Sequence, residues 1–364
     1  MLSAPSFAPR WASPPGDTIK DALRERGISL RDFAAMMDLS PGLTTALLEG
    51  SEAISLTLAR KLAGIIGASV EFWMTRDAQY RDDVARVAVD RWASTLPTKD
   101  MHRFGWLEKT SSWQDQIVAC MDYFDVSDFN AWQASYGRLV AEARFRISPT
   151  ARTNAPSVAV WLRQAEIEAD RTDSRAWNPL QFRNSLDDAR SLTRERDPSL
   201  FLPALKTLCA ESGVSLVVLR SPEGCPASGV ARFLSPQKPL LVLSGRFLTD
   251  DHLWFTFFHE AGHLLLHDSH AVFVDELSQA SGASSAVENE ADMFAEEILF
   301  PAKLQAELPP GRISTRDVLR LSKKAGVGPG IMAGQLQHRG NIEYNQLNGL
   351  KRRYKWNGPI LEMA

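Results

Sequence analysis

The sequence predicts a mostly helical α+β chain, and three features carry that prediction. Residues 17–75 hold short apolar runs with helical spacing, each opened by a capping residue and closed by glycine. Residues 80–200 continue the helical periodicity with several tryptophans. From about residue 200, short apolar runs rich in valine and leucine alternate with two long helical patterns. The expected layout is a disordered lead-in at 1–16, an all-α helix-turn-helix domain at 17–80 and a helical connecting region at 81–200. A domain with a small sheet and a C-terminal helical tail follows at 201–364.

In the lead-in, Pro5, Pro9, Pro14 and Pro15 break any element. Five short helices are then expected. Asp17 can cap Thr18–Arg26, which Gly27 ends. Ser29 caps Leu30–Met37, whose Leu30, Phe33, Ala34 and Met37 share one face. Ser40 and Pro41 open a third helix as cap and first helical residue, and Gly50 ends it. Ser55 caps a fourth, which Gly67 closes, and Ser69 starts the last, carrying Phe72, Trp73 and Met74. Helix, short turn and helix make the helix-turn-helix arrangement.

In the connecting region, Gln116–Phe124 and Trp132–Phe145 are the clearest helices. Leu200–Glu211 reads as a further helix. Val214–Leu219, Gly229–Leu234 and Leu240–Leu243 are candidate strands, with Pro236 and Pro239 between the last two. A long helix is expected over Asp251–His267 and another from Ala286 to Phe300, stopped by Pro301. Thr315–Ala325 and Gly330–Gln337 are two more, around a glycine-rich turn.

Composition narrows the function classes. Hydrophobic residues make up 44% and charged residues 23%, the mix of soluble globular domains, and the net charge is −3. No global basic excess points to nucleic acid or a membrane surface. No apolar run reaches the length of a membrane span, and the N-terminus lacks the apolar core of a signal peptide. A cytoplasmic protein with no membrane partner is the expectation. Cys120, Cys209 and Cys225 are far apart and form no CxxC pair, so neither a cysteine zinc site nor a disulfide framework is indicated.

The chemistry concentrates in His259-Glu260-Ala261-Gly262-His263. Residues four apart share one helix face, so both imidazoles can reach one metal ion, most plausibly Zn2+. Glu260 stands between them as the candidate general base for peptide hydrolysis. Phe255, Phe257, Phe258, Leu264, Leu265 and Leu266 make this helix largely buried, where two histidines and a glutamate are unfavourable without a partner.

A catalytic zinc site usually has three protein ligands. A metzincin would have histidine at 269 and glycine at 266, but those positions hold Ser269 and Leu266, which excludes that class. The remaining source is the stretch Glu288 to Leu299. Its apolar stripe is Ala291, Phe294, Ala295, Ile298 and Leu299. Glu288 projects within the stripe and Glu290 lies at its edge, so either can be the third ligand, with Glu288 preferred. Asp292 can orient a ligand histidine. His267 sits on the shoulder of the metal face, as a supporting or packing residue. His252, His270 and His338 are single histidines. His338 can stabilise an oxyanion, although a surface role fits it as well.

Two resemblances add to this reading. Ser29-Leu30-Arg31-Asp32-Phe33-Ala34, Ser40 to Gly50, Leu56 to Gly67 and Phe72-Trp73 resemble the lambda-repressor-like domains of addiction-module antitoxins. His259 to His267, Glu288-x-Glu290-Ala291-Asp292-x-Phe294-Ala295 and Leu299-x-Pro301 resemble the ImmA/IrrE family of metallopeptidases. The stretches Leu336-Gln337-His338 and Asn348 to Tyr354 resemble the tail of members with an N-terminal helix-turn-helix. The second resemblance implies a small zincin-like domain with a glutamate third ligand. It also implies substrates that are regulatory proteins, often transcriptional repressors. Asp292 stands where many members have asparagine, and both can orient a histidine. Glu260 is then expected to take a proton from the attacking water and pass it to the leaving amine. The substrate can add as a strand along an edge formed by Leu240–Leu243.

A DNA role is less clear. The candidate reading helix, Pro41–Glu49, has no Lys, Arg, Asn or Gln, which leaves Ser40, Thr44 and Thr45 as the DNA-contacting candidates. Over 17–80, seven basic residues face nine acidic ones, a poor footprint for phosphates. The domain can bind double-stranded DNA weakly, or serve dimerisation or docking. Two functions therefore stand: a zinc endopeptidase acting on a repressor or antitoxin, and a helix-turn-helix regulator or antitoxin with a structural or sensory metal site.

Overall fold

The structure is a computed structural model and describes residues 11–145, 155–267, 273–274 and 282–364. The first ten residues of the expected lead-in, and His270, lie outside the described residues. The chain forms two compact units. One runs to Thr95 and includes Ser112–Ala131; the other holds Leu96–Ser111 and Trp132 onward. The fold is mostly helical α+β, as the sequence predicts. Among the described residues no helix is long and apolar enough to cross a membrane.

The first unit begins with α1 (Pro15–Arg26), α2 (Leu30–Met37), α3 (Pro41–Glu49), α4 (Leu56–Ile66) and α5 (Val70–Thr95). Ser29, Ser40 and Ser55 each accept a backbone N–H from the residue three further on, so the expected caps form. α1 differs from expectation. Pro15 opens it as the first helical residue, where proline loses no hydrogen bond, and Asp17 lies inside the first turn rather than at the cap. Gly27 ends the helix with φ 64°, a conformation that suits a residue without Cβ.

Ile19, Leu23, Phe33, Met37, Leu47, Leu62, Ile66 and Trp73 form the core of this unit. The Trp73 indole N–H donates to the Gly67 carbonyl at 2.9 Å, which fastens α5 to the end of α4. α5 is not short. No proline or glycine occurs between Val70 and Leu96, so the helix continues through residue 80, where the sequence reading placed a boundary.

α6 (Thr98–Phe104) belongs to the second unit, α7 (Trp113–Phe124) to the first, and α8 (Phe129–Phe145) begins in the first and enters the second. Trp92 of α5 packs on Phe124 with ring centroids 5.9 Å apart, and the Trp113 indole donates to Asp90 at 3.0 Å.

In the second unit, α9 (Ala155–Asp170) is buried along most of its length. Ser157 donates to the Glu223 carbonyl at 2.8 Å, and the Trp161 indole donates to that of Leu219. α10 (Pro179–Leu192) and α11 (Pro198–Glu211) precede the sheet of β1 (Ser215–Val218), β2 (Gly229–Ser235), β3 (Lys238–Leu243) and β4 (Phe273–Val274). The sheet order is β1-β3-β2-β4. β1 runs parallel to β3, while β2 is antiparallel to both β3 and β4.

This order corrects the expectation that Leu240–Leu243 forms an edge. β3 is a central strand, with its backbone groups shared between β1 and β2, so no peptide can add there.

α12 (Asp250–Leu266) carries the central helix of this unit. Its Trp254, Phe257 and Phe258 join Phe201, Leu241 and Leu299 in the core. α13 (Gly282–Leu299), α14 (Ala302–Gln305), α15 (Thr315–Ala325) and α16 (Pro329–His338) follow. The two helices expected near the C-terminus are α15 and α16; beyond them come a 3-10 turn at Asn348–Leu350 and a hairpin of β5 (Tyr354–Asn357) and β6 (Ile360–Met363). Tyr354 and Leu361 are buried against the core while Lys355 is exposed, the alternation of a half-buried strand rather than a helix period.

The tail is anchored by charge. Lys351 Nζ lies 2.6 Å from Asp251, and Arg352 Nε lies 3.8 Å from Asp250, at the first turn of α12. Gly330 and Gly334 of α16 face these two acids so closely that a Cβ would stand 2.6 Å from the aspartate side chains. The tail and α16 thus hold the helix that carries the histidine motif.

Candidate metal centre

Along α12, His259 and His263 are one turn apart, and both are buried, with 3% and 2% exposure. Their Nε2 atoms are 3.0 Å apart. Glu288 comes from α13 and places Oε2 3.2 Å from His259 Nε2 and 3.6 Å from His263 Nε2. Among the described residues, this is the group of histidine, cysteine and carboxylate side chains close enough to hold one ion.

The donor set fits a metal. A tetrahedral zinc with bonds of about 2.0–2.1 Å has ligand atoms about 3.3–3.4 Å apart. The three separations here bracket that value. The tautomers agree with it. His259 Nδ1 lies 2.8 Å from Asp292, so that nitrogen carries the proton and donates it to the carboxylate, leaving the Nε2 lone pair facing inward. His263 Nδ1 lies 2.9 Å from His267 Nδ1, and His267 Nε2 lies 3.2 Å from Glu290. If each proton points outward, His263 donates to His267 and His267 to Glu290. Both Nε2 lone pairs then meet beside a carboxylate, an arrangement that calls for a positive charge between them.

Titration tends the same way. Burial, the largest influence, holds the His263 imidazole below its ordinary pKa, so it stays neutral and able to ligate.

Glycines make this meeting of helices possible. A Cβ on Gly262 would lie 3.1 Å from the Phe294 ring and 3.3 Å from the Ala291 Cα. The bare backbone of Gly262 lets α13 approach, which puts Glu288 and Asp292 over the histidines. Glu260 is fully buried on α12. It lies against Gly229 at the start of β2, where a Cβ would stand 2.5 Å from Glu260 Oε1.

The structure therefore brings together His259, His263 and Glu288, with Asp292 and His267 each on one ligand histidine. Glu290 touches His267 and stays outside the cluster. His338 is about half exposed, with Nε2 3.8 Å from Glu296 and its ring 5.8 Å from that of Phe255. His252 stacks on Phe247. Gly229 and Gly262 did not stand out in the sequence. A glycine inside a helix motif signals close packing only once its neighbour is known.

The DNA-contacting candidates fare unevenly. Thr44 is buried and its hydroxyl donates to the Ser40 carbonyl at 3.0 Å. The Thr45 hydroxyl donates to the Pro41 carbonyl at 3.1 Å, and Ser40 caps α3 through its own hydroxyl. Both remain at the surface.

Comparison with known proteins matches these parts of the chain separately. Residues 214–337, a third of the chain, match the model of the IrrE N-terminal-like domain, a peptidase family. A 60-residue stretch is 40% identical to the uncharacterized HTH-type transcriptional regulator YddM of Escherichia coli strain K-12. That stretch is 16% of this chain and 64% of the relative. The chain thus carries a domain similar to a peptidase and a part similar to a helix-turn-helix regulator.

Proposed function

We propose that this protein is a zinc-dependent endopeptidase that cleaves a regulatory protein, such as a transcriptional repressor or an antitoxin. The observation that carries the reading is the set of three inward-facing donors, His259 and His263 on the same helix as the buried Glu260 and Glu288 from α13. When bound there, a divalent zinc ion would supply Lewis acidity, polarising a carbonyl and acidifying a water.

The chain's residues do the rest. His259 and His263 present neutral nitrogens, and Glu288 supplies the negative charge. Asp292 keeps the His259 proton on Nδ1. His267 does the same for His263, and Glu290 steadies His267. Glu260 accepts a proton from the attacking water and returns it to the leaving amine. Its burial favours proton transfer by keeping bulk water away from the carboxylate.

Replacing Glu260 with Gln tests this. The variant is expected to keep one equivalent of zinc by mass spectrometry and to lose cleavage of a repressor encoded beside this protein. Full cleavage by the variant refutes the reading.

A second function has support of its own. The similarity to an HTH-type regulator and the capped helices α2–α4 favour a DNA-binding regulator or antitoxin whose metal is structural or sensory. Retention of zinc with no proteolysis of any repressor, together with specific binding of double-stranded DNA, would favour it. In either case the helix-turn-helix part can serve to bring in a protein partner or a second copy of the chain.

A further inference from the structure

Next to the metal centre is a pocket of about 90 Å³, bounded by the start of α12, the end of α16 and the C-terminal segment. Asp251, Phe255 and His259 follow one another at four-residue steps, so the pocket continues the face of α12 that carries the metal ligands. Phe255 is the wall shared with the metal site. Its ring centroid is 6.1 Å from that of His259, one helical turn away, and 5.8 Å from that of His338. In an extended peptide, successive residues advance about 3.4 Å. A residue adjoining a scissile bond at the metal centre can therefore place its side chain in this pocket.

We propose that the pocket receives a branched aliphatic side chain, Leu or Ile, of the cleaved polypeptide. This rests on the endopeptidase reading above and names the residue that reading leaves open. The surfaces such a side chain would meet are open to it. Tyr344 is 70% exposed, His338 is about half exposed and Phe255 is half-buried, and all three rings line the pocket. An aliphatic group lying on them takes its own carbon and ring carbon out of water together, which is the driving force for an apolar ligand.

The charged and amide groups of the wall are spent on one another. Lys351 Nζ lies 2.6 Å from Asp251 and donates to Gln337 Oε1 at 2.6 Å. The Gln337 amide donates to the Tyr344 and Gln346 carbonyls and to Asn348. His338 turns Nε2 to Glu296, 3.8 Å away and not part of the pocket wall. The Asp251–Lys351 pair is closed on itself and offers a charged ligand no counterion, so a Lys or Glu side chain would lose its water without return.

Size narrows the class further. An apolar cavity of about 150 Å³ holds benzene, roughly 25 Å³ per carbon, so about 90 Å³ suit a side chain of about four carbons. Leu and Ile have that size, Ala fills too little of the space, and the ring of Phe exceeds it.

Tyr344 and Lys351 lie beyond residue 337, where the match to the peptidase family model ends. The selectivity is therefore built partly by a segment outside the shared domain. The Tyr344 backbone is held in place, its carbonyl accepting from Gln337 at 3.3 Å and from Asn348 at 2.8 Å.

The test uses the full-length zinc-loaded protein and two series of hydroxamates, with binding measured by calorimetry. N-acetyl amino-acid hydroxamates place a side chain where the residue before the scissile bond would lie. Substituted succinyl hydroxamates place it where the residue after that bond would lie. Each series offers the side chains of Ala, Leu, Ile, Phe, Lys, Glu and Gln. In one series the Leu or Ile compound is expected to bind about tenfold or more tightly than all the others. In Tyr344→Ala, which removes an exposed wall and is checked for folding by its thermal melt, the preference over Phe should fall below roughly threefold. His338→Ala, at the half-exposed wall on α16, is the second variant and should show the same shift, while Tyr344→Phe keeps the ring and should keep the preference. Equal binding of all side chains in both series, or a preference for Ala, Phe, Lys, Glu or Gln, overturns the pocket assignment and leaves the metal site standing. A Leu or Ile preference that neither alanine variant alters overturns it too. If no hydroxamate binds the zinc-loaded protein, the metal-centred reading fails and the pocket assignment with it.

Discussion

Gly229→Ala probes the position of Glu260 without touching a metal ligand. The added methyl would lie 2.5 Å from Glu260 Oε1, 2.7 Å from its Cγ and 2.5 Å from the Thr256 methyl. Ordinary contact begins at 3.4 Å, so the carboxylate side chain must withdraw by on the order of 1 Å. The backbone at 229 is in a strand, so alanine is tolerated there and the effect is steric. A general base displaced by about 1 Å is expected to cost about 10²-fold in turnover. Crowding of this kind typically costs about 1–3 kcal/mol of stability.

Three measurements separate the outcomes for this variant. Turnover on the cleaved repressor should fall about 10²-fold. Zinc affinity, by competition with a chelator, should stay within a few-fold of the parent, since His259, His263 and Glu288 are not among the atoms the methyl meets. Urea unfolding should show the stability loss directly. Unchanged turnover in a folded variant refutes the idea that Gly229 makes room for the base. Joint loss of zinc and turnover refutes the claim that the effect is confined to Glu260.

Other expectations follow from the same geometry. Glu288→Ala should abolish tight zinc binding, whereas Glu290→Ala should weaken it only modestly, because Glu290 acts through His267; equal losses in a chelator titration would contradict this assignment. Asp292→Ala should lower zinc affinity by about 10–100-fold, the usual effect of removing the partner of a ligand histidine, and unchanged affinity would contradict the role given to Asp292. Gly262→Val should push Phe294 and α13 away, so zinc affinity should fall with the fold retained by circular dichroism.

Asp250 makes a pH prediction. It is fully buried, and burial pushes its carboxyl up to about 6. The folded state then holds this proton more tightly than the unfolded chain. Stability from this group should therefore fall as pH rises from about 4 to about 6, a loss of at most about 3 kcal/mol. Asp250→Asn should flatten that part of the pH profile in urea melts, and an unchanged profile would contradict it.

Much of the secondary structure was legible because its causes are local. Ser29, Ser40 and Ser55 sit directly before the helices they cap, and Pro301 stands two residues past the end of α13. Where one local cue competes with another, sequence pattern alone misleads. Pro14 and Pro15 look like breakers, yet proline suits a first helical turn. Val70 to Leu96 offers no stop signal, and the helix extends accordingly. The tail was harder, because the hairpin of β5 and β6 depends on the core that Tyr354 and Leu361 cover and has only a weak pattern of its own.

The histidine spacing and Glu260 come from the helix period, which a sequence carries in full. The 3.6-residue repeat alone places His259 and His263 on one face. Only the tertiary structure decided the partners. It brought Glu288 to the cluster and turned Glu290 to His267, because Gly262 lets α13 lie close over α12. It also made β3 a central strand and closed a pocket with Tyr344 and Lys351 from the tail. These relations join residues far apart in the chain, and packing of buried surfaces, not local preference, sets them.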